Sequence, residues 1–498
     1  MDSLLPPTAE ELRRRALDLH RRLQGKLTVV SKEPVAGPSD LSLLYTPGVA
    51  EPCREIAKDP AAVYEYTGKG NLVAVVSDGT AVLGLGDIGP LAGLPVMEGK
   101  ALLFKEFAGI DAVPIVLGTK DTGEIVAAVR AIAPSFGGIN LEDIAAPRCF
   151  EVEKALQEVL DIPVFHDDQH GTAVVVLAAL TNAAKKVKKE WASLKVVVNG
   201  AGAAGTAISR LLVAGGIADL TVCDRFGILK SGDPALNPAM ASLASITNPR
   251  GLTGTLVEAL EGADVFIGVS APRLLNAAHI RSMAPQALVF AMANPDPEIL
   301  PREALAAGAA LVATGRSDFP NQINNVLAFP GIFRGALAVR ARKVTEGMKL
   351  AASRAIAGLA GSGPEGPDAI VPSAFHRELA FQVAFAVATA AVVEGVAQRP
   401  LDRSALIQSI QASLLEAGAH RTLRTRDLVQ GASQGKVIQE RIGEGLVRLG
   451  VLTQERCDEI LALQGSGDKR LFGEIALALG FLDFDTLIEY LRQPGAAR

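Results

Sequence analysis

The sequence predicts an α/β protein. It has an N-terminal domain, a second domain built on a parallel sheet covered by helices, and a small, mainly helical C-terminal module. Two observations carry this. From Lys195 onward, short apolar runs that end in small or polar residues alternate with helical segments, as parallel strands buried on both faces require. Beyond residue 436, one helical pattern occurs twice.

In chain order, residues 1–171 mix a basic amphipathic first helix with strands, such as that at 72–76, and loops rich in Gly and Pro. They form the first domain. Residues 172–400 form the second, with strands in Val196-Val-Val-Asn-Gly, Leu220-Thr-Val-Cys-Asp, Val265-Phe-Ile-Gly-Val, Leu288-Val-Phe-Ala-Met and Leu311-Val-Ala-Thr-Gly. A Gly/Pro-rich break at 358–367 precedes a long apolar helix, and residues 401–435 read as a linker. The module at 436–498 repeats Arg441-Ile-Gly-Glu-Gly-Leu-Val-Arg-Leu-Gly as Arg470-Leu-Phe-Gly-Glu-Ile-Ala-Leu-Ala-Leu-Gly.

Composition narrows the function classes. With 498 residues, 49% of them hydrophobic, the chain buries a large core and divides into two or three domains. A net charge of -5 and the lack of any long basic run argue against nucleic acid polymers and anionic membranes as partners, leaving small molecules. Glu10, Glu11, Arg13, Arg14 and Arg15 stand where a signal peptide needs an apolar core. The most apolar stretch, 380–393, contains Gln382 and ends at Glu394, short of the about 20 apolar residues of a spanning helix. Cys53, Cys149, Cys223 and Cys457 form no CxxC pair, which fits reduced thiols in a cytoplasm.

The run Val196-Val-Val-Asn-Gly-Ala-Gly-Ala-Ala-Gly sets Gly200, Gly202 and Gly205 in a G-x-G-x-x-G after a strand, with Ala201, Ala203 and Ala204 between them and a helix at 206–212. Its glycines permit a tight turn and close approach of a pyrophosphate to the helix N-terminus. Asp224, ending the next strand, can accept from a ribose hydroxyl, so the site reads as a Rossmann-like NAD(P) site. Arg225 beside it can accept a phosphate and leaves NAD or NADP open. A second match, Gly84-Leu-Gly-Asp-Ile-Gly, leads into Pro90 and reads as a loop with no helix after it.

Glu142 and Asp143 are adjacent, and Asp167 and Asp168 follow the apolar run Ile162-Pro-Val-Phe. Clustered acids at the end of a buried strand repel one another unless a cation or a cationic side chain compensates, and oxygen-only ligands imply Mg2+ or Mn2+. His166 and His170 flank the second pair at the spacing of a zinc helix, but Gly171 follows at once, and they read as loop residues or as donors behind the ligands.

Tyr45-Thr-Pro-Gly-Val-Ala and Glu98-Gly-Lys-Ala-Leu-Leu-Phe-Lys-Glu-Phe, together with Glu142-Asp143 and His166-Asp-Asp-Gln-His-Gly-Thr-Ala, resemble the malic enzyme family of the small bacterial type. The resemblance extends through Thr314-Gly-Arg-Ser-Asp-Phe-Pro-Asn-Gln-Ile-Asn-Asn-Val. It implies a catalytic N-terminal domain and oxidative decarboxylation of (S)-malate to pyruvate. Lys100 is then the general base, Tyr45 the general acid, and Glu142, Asp143 and Asp168 the metal ligands. Asn294 contacts nicotinamide and substrate, and Asn325 contacts substrate. The resemblance further implies a homo-oligomer, a dimer or larger, in which some relatives share a catalytic tyrosine across subunits. One position departs: larger eukaryotic relatives carry a malate-binding arginine where this chain has Ala81.

The tail resembles the paired R-L-G motif in N-terminal domains of type II secretion and pilus-extension ATPases. That resemblance implies cyclic di-GMP or another nucleotide as its ligand, at Arg441, Gly443, Gln464 and Arg470. A helical module for oligomerisation explains the same leucines. Two rival functions share the main site: a malolactic enzyme, which releases lactate, and a catalytically silent NAD(P) sensor. Lys100, Tyr45 and the three acids argue against the sensor, which needs no proton-transfer pair.

Overall fold

The computed structural model describes residues 9–363, 365–415, 446–447, 451–465, 472, 475–476 and 479–482. The chain separates into two compact units, residues 1–418 and 419–498.

The large unit opens with α1 (Ala9–Leu23), α2 (Pro38–Leu44), α3 (Ala50–Lys58) and α4 (Val63–Tyr66). Next comes a four-stranded sheet of β1 (Leu72–Ser77), β2 (Asp111–Val116), β3 (Gly138–Leu141) and β4 (Val164–His166). Its order is β2-β1-β3-β4 and every pairing is parallel. The helices α5 (Pro90–Ala108), α6 (Thr122–Ile132) and α7 (Arg148–Val159) make the crossovers. β4 runs directly into α8 (Asp167–Lys186).

Two sequence expectations need correction here. Pro90 begins α5, because proline lacks only an N–H that the first helical turn leaves unpaired anyway. Asp167 to His170 are helical rather than a loop, and α8 runs across residue 171. A Cβ on Gly171 would come within 1.8 Å of Asp167 Oδ1 and displace the carboxylate that pairs with Lys100.

The second sheet comprises β5 (Lys195–Asn199), β6 (Asp219–Asp224), β7 (Gly227–Ile228), β8 (Val265–Gly268), β9 (Leu288–Ala291) and β10 (Leu311–Thr314). Its order is β10-β9-β8-β5-β6-β7, parallel except for β7. α9 (Ala203–Ala214) follows β5, and α10 to α13 (Pro238–Ala244, Leu256–Leu260, Ala277–Ser282, Pro301–Ala306) link the later strands. α14 (Phe329–Ala338), α15 (Glu346–Leu359) and α16 (Leu379–Val393) follow. Residues 403–415, expected as part of a linker, instead form a further helical segment of this unit, because Leu406 and Ile410 bury their side chains in its core. The break at 358–367 thus ends α15, and the apolar run after it is helical, as the sequence predicts.

One apolar core joins the two sheets. Val73 and Val75 from the first, Val196 and Val198 from the second, and Phe104, Val174, Leu180, Phe333 and Val387 from the helices are all buried in it. Burial around much of α8 follows from its place between the two layers. Among the described residues, no helix is long and apolar enough to cross a membrane.

In the tail unit, the first copy of the duplicated pattern contributes Leu446, Leu452 and Ile460, and the second Ile475, Ala476 and Leu482, to one small core. α17 (Gln454–Gly465) carries Gln464. Arg441, Gly443 and Arg470 lie outside the described residues.

Candidate active site

Parallel strands deliver their carboxyl ends to one edge, and there the first sheet assembles its acids. β3 ends at Leu141 and is followed by Glu142 and Asp143; β4 ends at His166 and is followed by Asp167 and Asp168. One oxygen from each of Glu142, Asp143 and Asp168 lies within 4.8 Å of the others. The Asp143 N–H donates to Asp168 Oδ2 at 2.8 Å, tying the two segments together. Lys100, buried on α5, pairs with Glu142 Oε1 at 2.8 Å and Asp167 Oδ2 at 2.5 Å, with Nζ 4.3 Å from the Phe329 ring centroid.

Burial and the neighbouring Asp168 push the Asp143 carboxyl up to about 7. Burial likewise drives Glu142 well above the usual carboxylate range, against the pull of Lys100. Burial alone would lower Lys100, but Asp167, Glu142 and Asp168 outweigh it and hold its pKa above the ordinary value. Asp143 Oδ2 is buried with no hydrogen-bond partner. Three crowded carboxylates, one with an oxygen unanswered, fit a hard divalent cation such as Mg2+ or Mn2+.

Sequence reasoning passed over two acids that this geometry brings forward. Asp167 was legible as half of an acidic pair, but its pairing with Lys100 spans 67 residues. Glu153, on α7, carries no local signal. Its buried carboxylate accepts from the His166 N–H at 3.0 Å and Gln169 Nε2 at 3.3 Å, and meets His170 Nε2 at 3.0 Å. It thereby fixes the turn that presents Asp167 and Asp168.

Burial would raise the Glu153 carboxyl, yet His170 and these hydrogen bonds outweigh it and hold it below its ordinary value. Its contribution to stability is therefore complete above the unfolded carboxylate's pKa and is lost as the pH falls through that range. Burial holds His170 below its ordinary pKa, so at neutral pH Glu153 acts chiefly as a hydrogen-bond acceptor. Glu153→Ala, which strands buried donors, is expected to cost about 1–3 kcal/mol, measured by denaturant unfolding at neutral pH. A midpoint equal to wild type would reject this role.

The implied substrate residues are placed unequally. Asn325 lies against α8, where a Cβ on Gly171 would come within 3.1 Å of its own Cβ. The Asn294 carbonyl faces the first domain, 2.6 Å from where Gly84 would carry a Cβ. Tyr45 follows α2 and is 66% exposed, and no described contact joins its hydroxyl to Lys100 or the acids. Ala81 contributes its N–H, donated to the Asp143 carbonyl at 2.9 Å.

At the second sheet, the strand order reverses between β5 and β8, which opens a crevice at their carboxyl ends. Gly200 has φ 123°, and a Cβ on Gly205 would sit 1.7 Å from the Gly200 carbonyl oxygen, so only glycine lets α9 start this close to β5. Gly202, at the N-cap of α9, has open space where its Cβ would be, as a bound pyrophosphate needs. Ala203 opens α9, three residues before the predicted helix start at 206. Asp224 ends β6, with Oδ1 accepting the Phe226 N–H at 2.8 Å. The Arg225 guanidinium stacks 4.6 Å from the Phe226 ring centroid.

Comparisons with known proteins identify the family. The family model "Malic enzyme, N-terminal domain" matches residues 24–157, and "Malic enzyme, NAD binding domain" matches residues 169–392. The chain is 55% identical over 392 residues to the bifunctional malic/malolactic enzyme of Bacillus subtilis (strain 168), covering 78% of this chain and 96% of that protein. It is 57% identical over 375 residues to the NAD-dependent malic enzyme of Geobacillus stearothermophilus, covering 75% and 78%. The crystal structure of malic enzyme from Pyrococcus horikoshii Ot3 superposes with a TM-score of 0.77 at 49% identity, covering 81% of this chain and 95% of that one. Two family models matching residues 24–157 and 169–392, with relatives at 55% and 57% identity, show that the chain belongs to the malic enzyme family.

Proposed function

We propose that the protein oxidises (S)-malate to pyruvate and carbon dioxide while reducing NAD or NADP, with Mg2+ or Mn2+ held by Glu142, Asp143 and Asp168. The observation that carries this is Lys100 Nζ lodged between Glu142 and Asp167 beside the three-carboxylate cluster. When bound, the cation supplies an electron sink for loss of carbon dioxide and offsets the acids' charge.

With that charge offset, Lys100 releases its proton and accepts one from the C2 hydroxyl of malate as hydride leaves for the nicotinamide. Asp167 Oδ2, 2.5 Å from Nζ, takes the proton onward. Tyr45 returns a proton to C3 of the enolate. Gly200 to Gly205 seat the pyrophosphate and Asp224 the ribose, with Asn294 and Asn325 orienting the reactants.

The exposure of Tyr45 supports a homo-oligomer in which a second copy supplies it. Leu12, Leu17, Leu41, Leu43 and Leu44 on α1 and α2 are also exposed and offer an apolar surface for that copy. We read residues 1–171 as the catalytic domain and 172–400 as the NAD(P) domain, in a cytoplasmic protein whose four cysteines are free thiols. The test of the reaction is metal dependence: a chelator should abolish malate-dependent cofactor reduction and Mn2+ restore it. Undiminished turnover in chelator would reject the reading.

A second reading, malolactic conversion to lactate, is favoured by the bifunctional name of the Bacillus subtilis relative. For the tail we infer a regulatory role, with cyclic di-GMP or another nucleotide as ligand. The arginine and glycine of each copy support this, since arginine pairs with phosphate and glycine admits close approach. Cyclic di-GMP should bind the whole chain, and Arg441→Ala should weaken that binding at least about ten-fold. Equal affinity in the variant would leave the tail an assembly module.

A further inference from the structure

Asp143 is held in a left-handed backbone conformation, φ 54°, uncommon for a non-glycine residue although aspartate tolerates it better than most, and its surroundings fix it. Here two donors do so: the N–H groups of Thr80, at 3.2 Å, and Ala81, at 2.9 Å, point at the Asp143 carbonyl. That loop is shaped in turn by Asp78, which is 1% exposed. Asp78 Oδ1 accepts from Thr80 N at 3.1 Å and from Thr80 Oγ1 at 2.6 Å.

The other oxygen of Asp78 accepts from Arg148 Nη2 at 2.6 Å, and the same Nη2 donates to Thr80 Oγ1 at 2.9 Å. Thr80 Oγ1 also accepts the Ala145 N–H at 3.0 Å, so the hydroxyl uses its whole capacity, one bond donated and two accepted. Arg148 opens α7, five residues after Asp143. It therefore fastens the loop to the chain segment that the loop itself constrains.

We propose that Arg148 is a positioning residue for Asp143. By neutralising buried Asp78 and anchoring Thr80, it keeps the Thr80 and Ala81 amides aimed at the Asp143 carbonyl. The carboxylate then stays turned toward Glu142 and Asp168, and Arg148 sets the affinity of the cation site without touching the ion. This rests on the reading of Glu142, Asp143 and Asp168 as cation ligands.

The test is Mn2+ binding to the whole chain, without malate or dinucleotide, read from the electron paramagnetic resonance of the free ion. Wild type, Arg148→Ala, Arg148→Lys and Asp143→Asn are compared. Arg148→Ala should weaken Mn2+ binding about 10- to 100-fold, and Arg148→Lys should recover part of the loss. In turnover, the KM for Mn2+ should rise by more than kcat falls. NADH or NADPH affinity, read by fluorescence, should stay within about two-fold, because that site stands on the other sheet.

Wild-type Mn2+ affinity in Arg148→Ala, beside a loss in Asp143→Asn, would overturn the proposal and leave the ligand reading intact. Wild-type affinity in Asp143→Asn would overturn the ligand reading itself. Parallel loss of Mn2+ and dinucleotide binding in Arg148→Ala would mark a general structural role and overturn the proposal as well.

Discussion

Lys100→Ala is expected to lower kcat for pyruvate formation by about 10^2- to 10^4-fold, the range general base catalysis contributes. The substitution also leaves Glu142 and Asp167 buried without the ammonium between them. Removing one partner of such a group costs about 3–5 kcal/mol, so the metal-free variant should also unfold at lower denaturant. Mn2+ should restore part of that stability without restoring turnover, because the cation replaces the charge but not the base. Retention of NADH or NADPH binding would show that the dinucleotide domain is intact. A Lys100→Ala protein with kcat within a few-fold of wild type would remove Lys100 from the mechanism.

Asp168→Asn separates stability from activity in the opposite direction. Asp168 is the least buried of the three acids, with its side chain 35% exposed, and asparagine preserves an acceptor for the Asp143 N–H. Removing one of three like charges relieves the repulsion that raises Asp143 and Glu142. The metal-free variant should therefore be as stable as wild type, or more stable by about 1 kcal/mol. Mn2+ binding should weaken at least about 100-fold and turnover fall with it. Unchanged Mn2+ affinity would show that the cation, if needed, sits elsewhere.

What the sequence revealed followed from how local the determining contacts are. The β5–turn–α9 unit was legible because its glycines answer steric demands within six residues, as the 1.7 Å approach at Gly205 shows. The first sheet was harder to read. β2 carries Pro114 within Asp111-Ala-Val-Pro-Ile-Val, which argues against a central strand; the strand lies at the sheet edge, where proline is tolerated. Pro90 hid a helix start in the same way.

The acid pairs were visible because their members are adjacent in sequence. Their supports were not: Lys100 meets Asp167 across 67 residues, and Arg148 meets Asp78 across 70. Parallel crossovers bring these groups together, and no periodicity in either segment announces the meeting. Glu153 reads as an ordinary helical glutamate until the packing of α7 against β4 buries it.

The ratio of products decides whether oxidation and decarboxylation are coupled. Purified protein is incubated with malate, Mn2+ and NAD or NADP, and pyruvate, lactate and reduced cofactor are counted together. One pyruvate is expected for each reduced cofactor, with no lactate. Lactate formed without net cofactor reduction, or reduced cofactor without pyruvate, would contradict that coupling.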